Sequence, residues 1–336
     1  MKKTISTLLT LILTLSLLVS CSLFQDSNKN DPSEQVKIRI GYMAGPTGMG
    51  MAKLISDNGG LDMGNDKYSF TKYADTNAAK ADLAAGKIDI ICLPTNEAAV
   101  YFNTIDNNAR LLAVNCLNSL YLLTDKNTTV TSLAELDGQT IYTCKNGTPR
   151  KVLEYIINEA GINATVSYTF DGKEILTPAD LSAQVIAGNL PNAVMPEPLV
   201  TSSLLSIAKN GNENISYSVD VDLSDEWEKV CDTPVVMGCI VADGNFISEN
   251  KSVVDTFLAE YKASIEYIGN PENINSAANY VVETGVMGAA PAAIKAITNL
   301  GDAISYIDGD DMKIALEAFY NAIGVALPDD SFYYEK

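Results

Sequence analysis

The sequence contains no histidine, and this absence removes several kinds of chemistry. Without imidazole there is no Ser-His-Asp or Cys-His nucleophile pair and no His-ligated zinc site. Basic residues are also few, since 23 Lys and Arg stand against 42 Asp and Glu and give a net charge of -19. A polyanion of this kind is a poor partner for nucleic acid or for an anionic lipid surface. The composition therefore disfavours histidine-dependent enzymes and nucleic-acid-binding proteins.

The sequence also lacks a disulfide pattern. Apart from Cys21, the cysteines are Cys92, Cys116, Cys144, Cys231 and Cys239. Their number is odd and no CxxC spacing occurs, so they predict neither a disulfide framework nor a redox motif. Several lie in apolar segments, where a free thiol behaves as a small hydrophobic side chain. We expect reduced, buried thiols, with no metal site and no cofactor.

The first 35 residues read as an export and anchoring segment. Lys2 and Lys3 precede a short apolar run that ends in small residues before Cys21, which is typical of a signal peptide over residues 1–20. The cysteine at the cleavage point resembles the bacterial lipobox, which implies that Cys21 carries lipid, such as palmitate. Residues 21–35 are polar and read as a flexible tether. We therefore expect a lipid-anchored protein on the extracytoplasmic face of a cell membrane.

A repeat with a period of 102 residues organises the first two thirds of the remaining chain. Strand and helix patterns alternate, and the Gly and Pro residues that end them recur at that spacing. The matching pairs are Gly45 and Gly147, Gly59 and Gly161, Gly86 and Gly188, and Pro94 and Pro196. This pattern predicts an α/β protein with two similar lobes, each a mostly parallel sheet flanked by helices.

The last third breaks the repeat. Val236 to Ala242 read as one more buried strand. A long helix is then predicted, with its apolar face formed by Val254, Phe257, Leu258, Tyr261, Ile265 and Ile268. Further helical segments follow as far as Ile323. A helical segment that returns to the first lobe requires the chain to cross between lobes twice. We expect lobe 1 to comprise residues 36–117 and 246–336, and lobe 2 residues 118–245.

Several short motifs, taken in their order, resemble those of a known family. They are the lipobox, Ile40 to Gly48, Leu93 to Asn96, Met195 to Pro198, Val236 to Cys239 and Leu327 to Tyr334. Residues 36–336 are similar to the solute-binding lipoproteins of ABC transporters of the nitrate, sulfonate and thiamine-pyrimidine type. The resemblance implies a type II periplasmic-binding-protein fold that holds a small-molecule ligand between its lobes. It also implies an ABC permease and its ATPase as partners.

The candidate ligand site lies where strands end and helices begin. Ligands of open parallel sheets gather beyond the carboxyl ends of the strands, where helix N-termini present free N–H groups. The residues predicted there are Tyr42, Gly45, Pro46, Thr47, Gly48, Thr95, Asn96, Asn146, Gly147, Thr148 and Glu197. Most are neutral donors and acceptors, or glycines that let the backbone approach a ligand.

Two of these residues have competing interpretations. Glu197 could pair with a ligand amine or ring N–H, or it could bond to a nearby helix N-terminus. Tyr42 could stack on a flat ligand or belong to the rim of the core. Lys145 and Arg150 are the only cations beside these loops, so a small doubly charged oxyanion is disfavoured. A heterocyclic or largely neutral ligand, such as a pyrimidine-type compound, fits better.

Three alternatives remain open. One is a tethered enzyme using Glu197, Asp75 and Cys239, although no nucleophile–base pair is visible. A second is dinucleotide binding, but the glycines at 45, 48 and 50 run GxxGxG rather than GxGxxG. A third is a solute sensor acting on a membrane partner. We favour a monomeric, non-enzymatic binding protein.

Overall fold

The computed structural model describes residues 36–60 and 65–336, which form two five-stranded sheets and a small hairpin among helices. The strands are β1 (Ile38–Met43), β2 (Tyr68–Tyr73), β3 (Ile90–Pro94), β4 (Ala109–Leu117), β5 (Leu120–Asp125), β6 (Thr140–Tyr142), β7 (Thr165–Ser167), β8 (Thr169–Phe170), β9 (Lys173–Glu174), β10 (Asn192–Pro196), β11 (Tyr217–Asp222) and β12 (Val236–Asp243).

The α-helices alternate with the strands at first and dominate after β12. They are α1 (Pro46–Met49), α2 (Ala52–Asp57), α3 (Thr76–Ala84), α4 (Thr95–Thr104), α5 (Thr148–Glu159), α6 (Pro178–Ile186), α7 (Leu199–Asn210), α8 (Leu223–Glu228), α9 (Gly244–Gly269), α10 (Ile274–Glu283), α11 (Ala290–Leu300) and α12 (Gly309–Ala322). Short 3₁₀ turns cover Leu133–Leu136, Pro271–Asn273, Gly301–Ala303 and Asp330–Phe332.

The two large sheets have the same strand order. The first runs β2-β1-β3-β12-β4 and the second β7-β6-β10-β5-β11. In each sheet the first three strands are parallel, and the fourth is antiparallel to both neighbours. We call the first sheet with α1–α4 and α9–α12 lobe 1, and the second sheet with α5–α8 lobe 2. The predicted α/β class, with helices flanking two sheets, is confirmed.

The predicted repeat is visible in the elements themselves. β1 and β6 begin at Ile38 and Thr140, and β3 and β10 begin at Ile90 and Asn192, in each case 102 positions apart. The same punctuation therefore produces the same strand–helix–strand path twice.

The pairing of β12 corrects the expected lobe boundary. This strand lies between β3 and β4 in the first sheet, with Ile240 opposite Cys92 and Ala113. The sequence pattern predicts that lobe 2 extends to residue 245. A continuous apolar run predicts a buried strand but does not indicate which sheet receives it. The chain therefore returns to lobe 1 before Val236.

The two segments that cross between the lobes are joined to each other. The Asn118 amide donates to the Val235 carbonyl at 2.9 Å, and the Val235 amide donates to the Asn118 side-chain oxygen at 3.0 Å. Asn118 has a φ of 32°, a left-handed conformation that Asn tolerates better than most residues. The two crossings thus form one hydrogen-bonded hinge.

Helices α9 to α11 cover one face of the first sheet with an apolar core. The inward side chains of α9 that the sequence predicted are all buried: Val254, Phe257, Leu258, Tyr261, Ile265 and Ile268. They belong to the same cluster as Ile38, Ile40 and Ile90 of the first sheet. The expected return of the helical segment to lobe 1 is confirmed.

A separate apolar cluster extends through both lobes beside the hinge. Trp227 of α8 is fully buried, with its ring 4.9 Å from that of Tyr155 on α5 and 5.6 Å from that of Phe319 on α12. Because α12 packs on β4 and β12, this cluster of tilted aromatic rings joins lobe 2 to lobe 1.

We expect Phe319→Ala to lower the free energy of unfolding by about 3–5 kcal/mol, because it removes a fully buried ring and leaves a cavity beside Trp227. Urea unfolding followed by circular dichroism and by Trp227 fluorescence measures the change. Ile314→Ala on the same helix is the control, since Ile314 is 66% exposed. An equal loss in both variants would contradict the packing role of Phe319.

Candidate functional site

The register of the sheets brings strand ends from both lobes to the hinge. Pro94, which ends β3, lies opposite Gly238, and Pro196, which ends β10, lies opposite Leu120. Gly238 and Leu120 each follow a crossing segment by a few residues. The helices that start after Pro94 and Pro196 therefore begin beside the hinge, one in each lobe.

One buried hydrogen bond joins the two lobes at helix N-termini. The Thr148 hydroxyl, at the start of α5, donates to the Asn96 side-chain oxygen, at the start of α4, at 2.8 Å. Asn96 is 7% exposed and Thr148 1% exposed. Both helices have free N–H groups in their first turn, which attract electronegative atoms. Two predicted site residues, 52 positions apart in sequence, are thus brought together.

Thr95 is placed beside this contact but serves lobe 1. Its side chain is fully buried and its hydroxyl donates to the Val236 carbonyl. Its own carbonyl accepts from the Tyr320 hydroxyl at 2.8 Å. These bonds hold the start of α4 against β12 and α12, so Thr95 positions Asn96.

The predicted turn from Gly45 to Gly48 forms the short helix α1 at the end of β1. The Gly45 carbonyl accepts from the amides of Gly48 and Met49 at 3.1 Å each, and Gly45 has a φ of 126°. A Cβ on Gly48 would lie 2.0 Å from the Met43 carbonyl oxygen, so only glycine fits there. Pro46 begins α1, and Thr47 is half-buried.

A buried polar contact that the sequence does not predict lies below this turn. Asn115 is 1% exposed, and its side-chain amide donates to the Thr47 carbonyl at 3.3 Å and to the Tyr261 hydroxyl at 2.9 Å. A Cβ on Gly238 would lie 2.3 Å from the Thr47 methyl carbon and 2.5 Å from the Asn115 side-chain oxygen. Gly238 and Asn115 therefore determine where Thr47 sits. No sequence pattern marked Asn115, which lies inside the apolar strand β4.

In lobe 2 the predicted loop precedes α5. Asn146 is exposed, and Gly147, with a φ of 94°, is the N-cap residue that turns the chain into the helix. The sequence favours Thr148 as the N-cap and Pro149 as the first helical position. The helix begins one residue earlier, with Thr148 and Pro149 at its first two positions. Asn146 and Gly147 lie at the rim of the site, whereas Thr148 lies at its buried centre.

The two cations beside this loop are paired within lobe 2. The Lys145 ammonium lies 2.6 Å from a carboxylate oxygen of Glu174. The Arg150 Nε lies 3.8 Å from a carboxylate oxygen of Glu154. Both cations also lie over the Tyr168 ring, 5.8 and 5.4 Å from its centre. Their charge is thus partly compensated before any ligand arrives.

Glu197 is buried, and its carboxylate has three neighbouring donors. It accepts from the Thr201 amide at 3.1 Å, from the Thr201 hydroxyl at 2.8 Å and from the Asn299 side chain at 2.6 Å. Burial raises the pKa of the Glu197 carboxyl, and the hydrogen bonds from Asn299 and Thr201 partly oppose that rise. Of the two interpretations offered by the sequence, bonding to a helix N-terminus describes the observed contact with Thr201 on α7.

Tyr42 is the predicted site residue that the structure removes from the site. Its ring is fully buried in the lobe 1 core and its hydroxyl donates to the Thr284 carbonyl at 3.0 Å. The strand β1 alternates its side chains between faces, and Tyr42 falls on the face covered by α9 and α10. A stacking role for Tyr42 is therefore not supported. Cys21, the predicted lipidation residue, lies outside the described residues.

We expect Gly238→Ala to lower the melting temperature, corresponding to about 1–3 kcal/mol, because the new methyl overlaps Thr47 and Asn115. Thermal unfolding followed by circular dichroism measures the effect. Gly288→Ala is the control, since nothing lies within 4 Å of the added carbon.

A combined variant tests the stated cause. Thr47→Ser removes the methyl group nearest the added carbon, so the pair Gly238→Ala with Thr47→Ser should recover part of the lost stability. No recovery would mean that Thr47 is not the group that restricts residue 238.

No group of three or more Cys, Asp or Glu side chains in residues 36–60 and 65–336 could hold a metal ion. In that same part of the chain no helix is long and apolar enough to cross a lipid bilayer.

Several solved structures have folds similar to that of this chain. An ABC transporter protein from Parabacteroides distasonis matches with a TM-score of 0.67 at 20% identity, covering 89% of this chain and 99% of that one. The aliphatic sulphonate binding protein SsuA from Escherichia coli matches with a TM-score of 0.65 at 17% identity, covering 89% and 92%. This chain has the fold of the ABC-transporter solute-binding proteins. The predicted periplasmic-binding-protein fold is thereby confirmed.

Other structures with a similar fold belong to proteins described with different ligands. The nitrate-binding protein NrtA from Synechocystis matches with a TM-score of 0.58 at 12% identity, covering 83% of this chain and 75% of that one. A ligand-binding component of an ABC-type import system from Staphylococcus aureus, with zinc bound, matches with a TM-score of 0.65 at 14% identity. The match covers 89% of this chain and 97% of that one. Neither a protein-family model nor a curated protein matches the sequence. Identities this low establish the fold alone.

Proposed function

We propose that this protein is the substrate-binding subunit of an ABC importer. It captures a small molecule between its two lobes and delivers it to a membrane permease driven by an ATPase. The observation that carries the proposal is the buried bond between Asn96 and Thr148, which joins helix N-termini of two lobes with the same strand order. Two lobes of the same build that are linked by a paired hinge are suited to open, admit a ligand and close on it.

The ligand we propose is heterocyclic or largely neutral, of the pyrimidine type. The groups at the centre of the site, Asn96 and Thr148, are uncharged. Glu97, the next residue on α4, is paired with Lys80 at 2.8 Å. Neutral amides and hydroxyls match the donors and acceptors of a heterocycle, whereas a buried anion needs a cation to offset its desolvation.

An anionic ligand is the competing possibility, because two similar folds are named for sulphonate and nitrate. Arg150 is the residue that such a ligand would use. Its Nε is buried and has no hydrogen-bond acceptor among the described residues. The ion pair between Arg150 and Glu154 would then have to break.

A screen of pyrimidines, sulfonates and nitrate against the purified protein tests both possibilities. A ligand at a hundred times its dissociation constant adds about 2.7 kcal/mol of stability, which a thermal shift detects. For a neutral ligand, Asn96→Ala should weaken binding about tenfold or more, or about 1.4 kcal/mol. Arg150→Gln should change the affinity for a neutral ligand by no more than about twofold.

Asn103→Ala is the matched control for Asn96→Ala, since Asn103 lies on the same helix and bonds to the Ala326 carbonyl. Binding confined to sulfonates or nitrate and abolished by Arg150→Gln would overturn the neutral-ligand assignment. A stable protein that binds none of the screened classes would weaken the transport proposal itself.

A binding role fits the structure better than the enzyme that the sequence left open. Asp75 is exposed and caps α3, accepting from the Asn77 and Ala78 amides at 2.9 and 3.0 Å. Cys239 is fully buried, and burial raises the pKa of its thiol well above the ordinary value. A protonated thiol inside the core is a poor nucleophile. A solute sensor with this fold would be distinguished by the partner it binds, a sensor kinase rather than a permease.

We further propose that Cys21 carries lipid and anchors the protein outside the cytoplasm, after removal of residues 1–20. Cys21→Ala should release the protein from the membrane fraction and abolish incorporation of labelled palmitate, while the melting temperature stays unchanged. Cys231→Ala, which changes a half-exposed thiol of the folded part, is the control. Membrane-bound, unlabelled Cys21→Ala protein would contradict lipid anchoring at this residue.

A further inference from the structure

Asn299 is a residue of lobe 1 that makes its hydrogen bonds to lobe 2. It lies in the last turn of α11, whose buried residues Ala293, Ala296 and Ile297 belong to the lobe 1 core. The side chain of Asn299 itself is exposed at the edge of the lobe contact.

Three hydrogen bonds connect this one residue to lobe 2. Its side-chain amide donates to the Glu197 carboxylate at 2.6 Å and to the Thr201 hydroxyl at 3.3 Å. Its carbonyl accepts from the Tyr121 hydroxyl of β5 at 2.9 Å. The last carbonyls of a helix have no partner within the helix, so the Tyr121 hydroxyl satisfies a group that would otherwise face water.

Glu197 is held in place by its own lobe whether or not Asn299 is present. The Thr201 amide and hydroxyl, one turn into α7, orient the carboxylate. A further attraction comes from the opposite lobe, where Lys295, one turn before Asn299 on α11, makes a favourable charge interaction with Glu197. The carboxylate is therefore ready to receive the Asn299 amide when the lobes meet.

We propose that Asn299 is a closure latch: its amide binds the preoriented carboxylate of Glu197 and biases the two lobes toward the closed arrangement. This inference deepens the proposed function and reassigns Glu197 from ligand contact to lobe contact. Hydrogen bonds to a charged group are about twice as strong as neutral ones. Loss of the latch should shift the closed-to-open ratio about tenfold toward open.

Small-angle scattering of the full chain without added ligand measures this ratio. Asn299→Ala should give a larger radius of gyration than the unmodified protein. Thr298→Ala is the matched control, because Thr298 is exposed on the same helix and bonds only to the Ile294 carbonyl of its own helix. Identical radii for the unmodified protein and Asn299→Ala would overturn the latch.

A pair of substitutions that moves the carboxylate from residue 197 to residue 299 separates the latch from a general structural role. Asn299→Asp places two carboxylates together and should open the lobes further than Asn299→Ala. Adding Glu197→Gln lets the new amide donate to the new carboxylate, so the radius should return toward that of the unmodified protein. Failure of this rescue, with circular dichroism unchanged, would also overturn the proposal.

The outcome is independent of whether the protein serves an importer. The scattering experiment uses no ligand and no permease, so a failed ligand screen leaves its result standing. Conversely, a protein that binds a pyrimidine but shows no effect of Asn299→Ala retains the transport proposal and loses the latch.

Discussion

The double crossing of the chain is the constraint on which the rest of the structure depends. β5 and β12 each follow a crossing and each fill the antiparallel fourth position of a sheet. Neither sheet can therefore be completed by one continuous stretch of sequence. The bonds between Asn118 and Val235 bring the two crossings together, and the register then places Pro94 and Pro196 beside them. The position of the candidate site follows from this topology.

Two kinds of contact hold the lobes together, and they respond differently to motion. The aromatic cluster around Trp227 is buried, so separating its rings would expose large apolar surfaces to water at a high cost. The contacts of Asn299 lie at an exposed edge, where water can replace a lost protein hydrogen bond at modest net cost. If the lobes open as proposed, the aromatic cluster is expected to stay packed and the polar contacts of Asn299 to break.

The electrostatics of the site depend on local pairing. The protein carries a large negative charge, yet the carboxylates near the helix starts each have a partner: Glu97 has Lys80, and Glu197 has Thr201 and Asn299. A buried carboxylate without donors would be too costly to retain. Because the charged groups are engaged within the protein, the groups left at the centre are the neutral ones of Asn96 and Thr148.

The sequence by itself determined the local elements and their repetition. Glycines and prolines spaced 102 residues apart predicted where strands and helices of both lobes end, and the apolar face of α9 predicted which side is buried. Thr148 and Pro149 predicted the start of α5 to within one residue, because capping depends on a few neighbouring residues. Local steric and hydrogen-bonding preferences are sufficient for such features.

Only the tertiary structure decided which distant residues meet. The apolar run of β12 did not reveal its sheet, the pattern of β1 did not reveal that Tyr42 faces the core, and nothing near Glu197 indicated a partner 102 positions away at Asn299. Asn115 could not be found either, since a single polar residue in an apolar strand gives no signal of its own. These contacts depend on how helices and sheets pack across long sequence separations, and that packing is a property of the whole chain rather than of any local pattern.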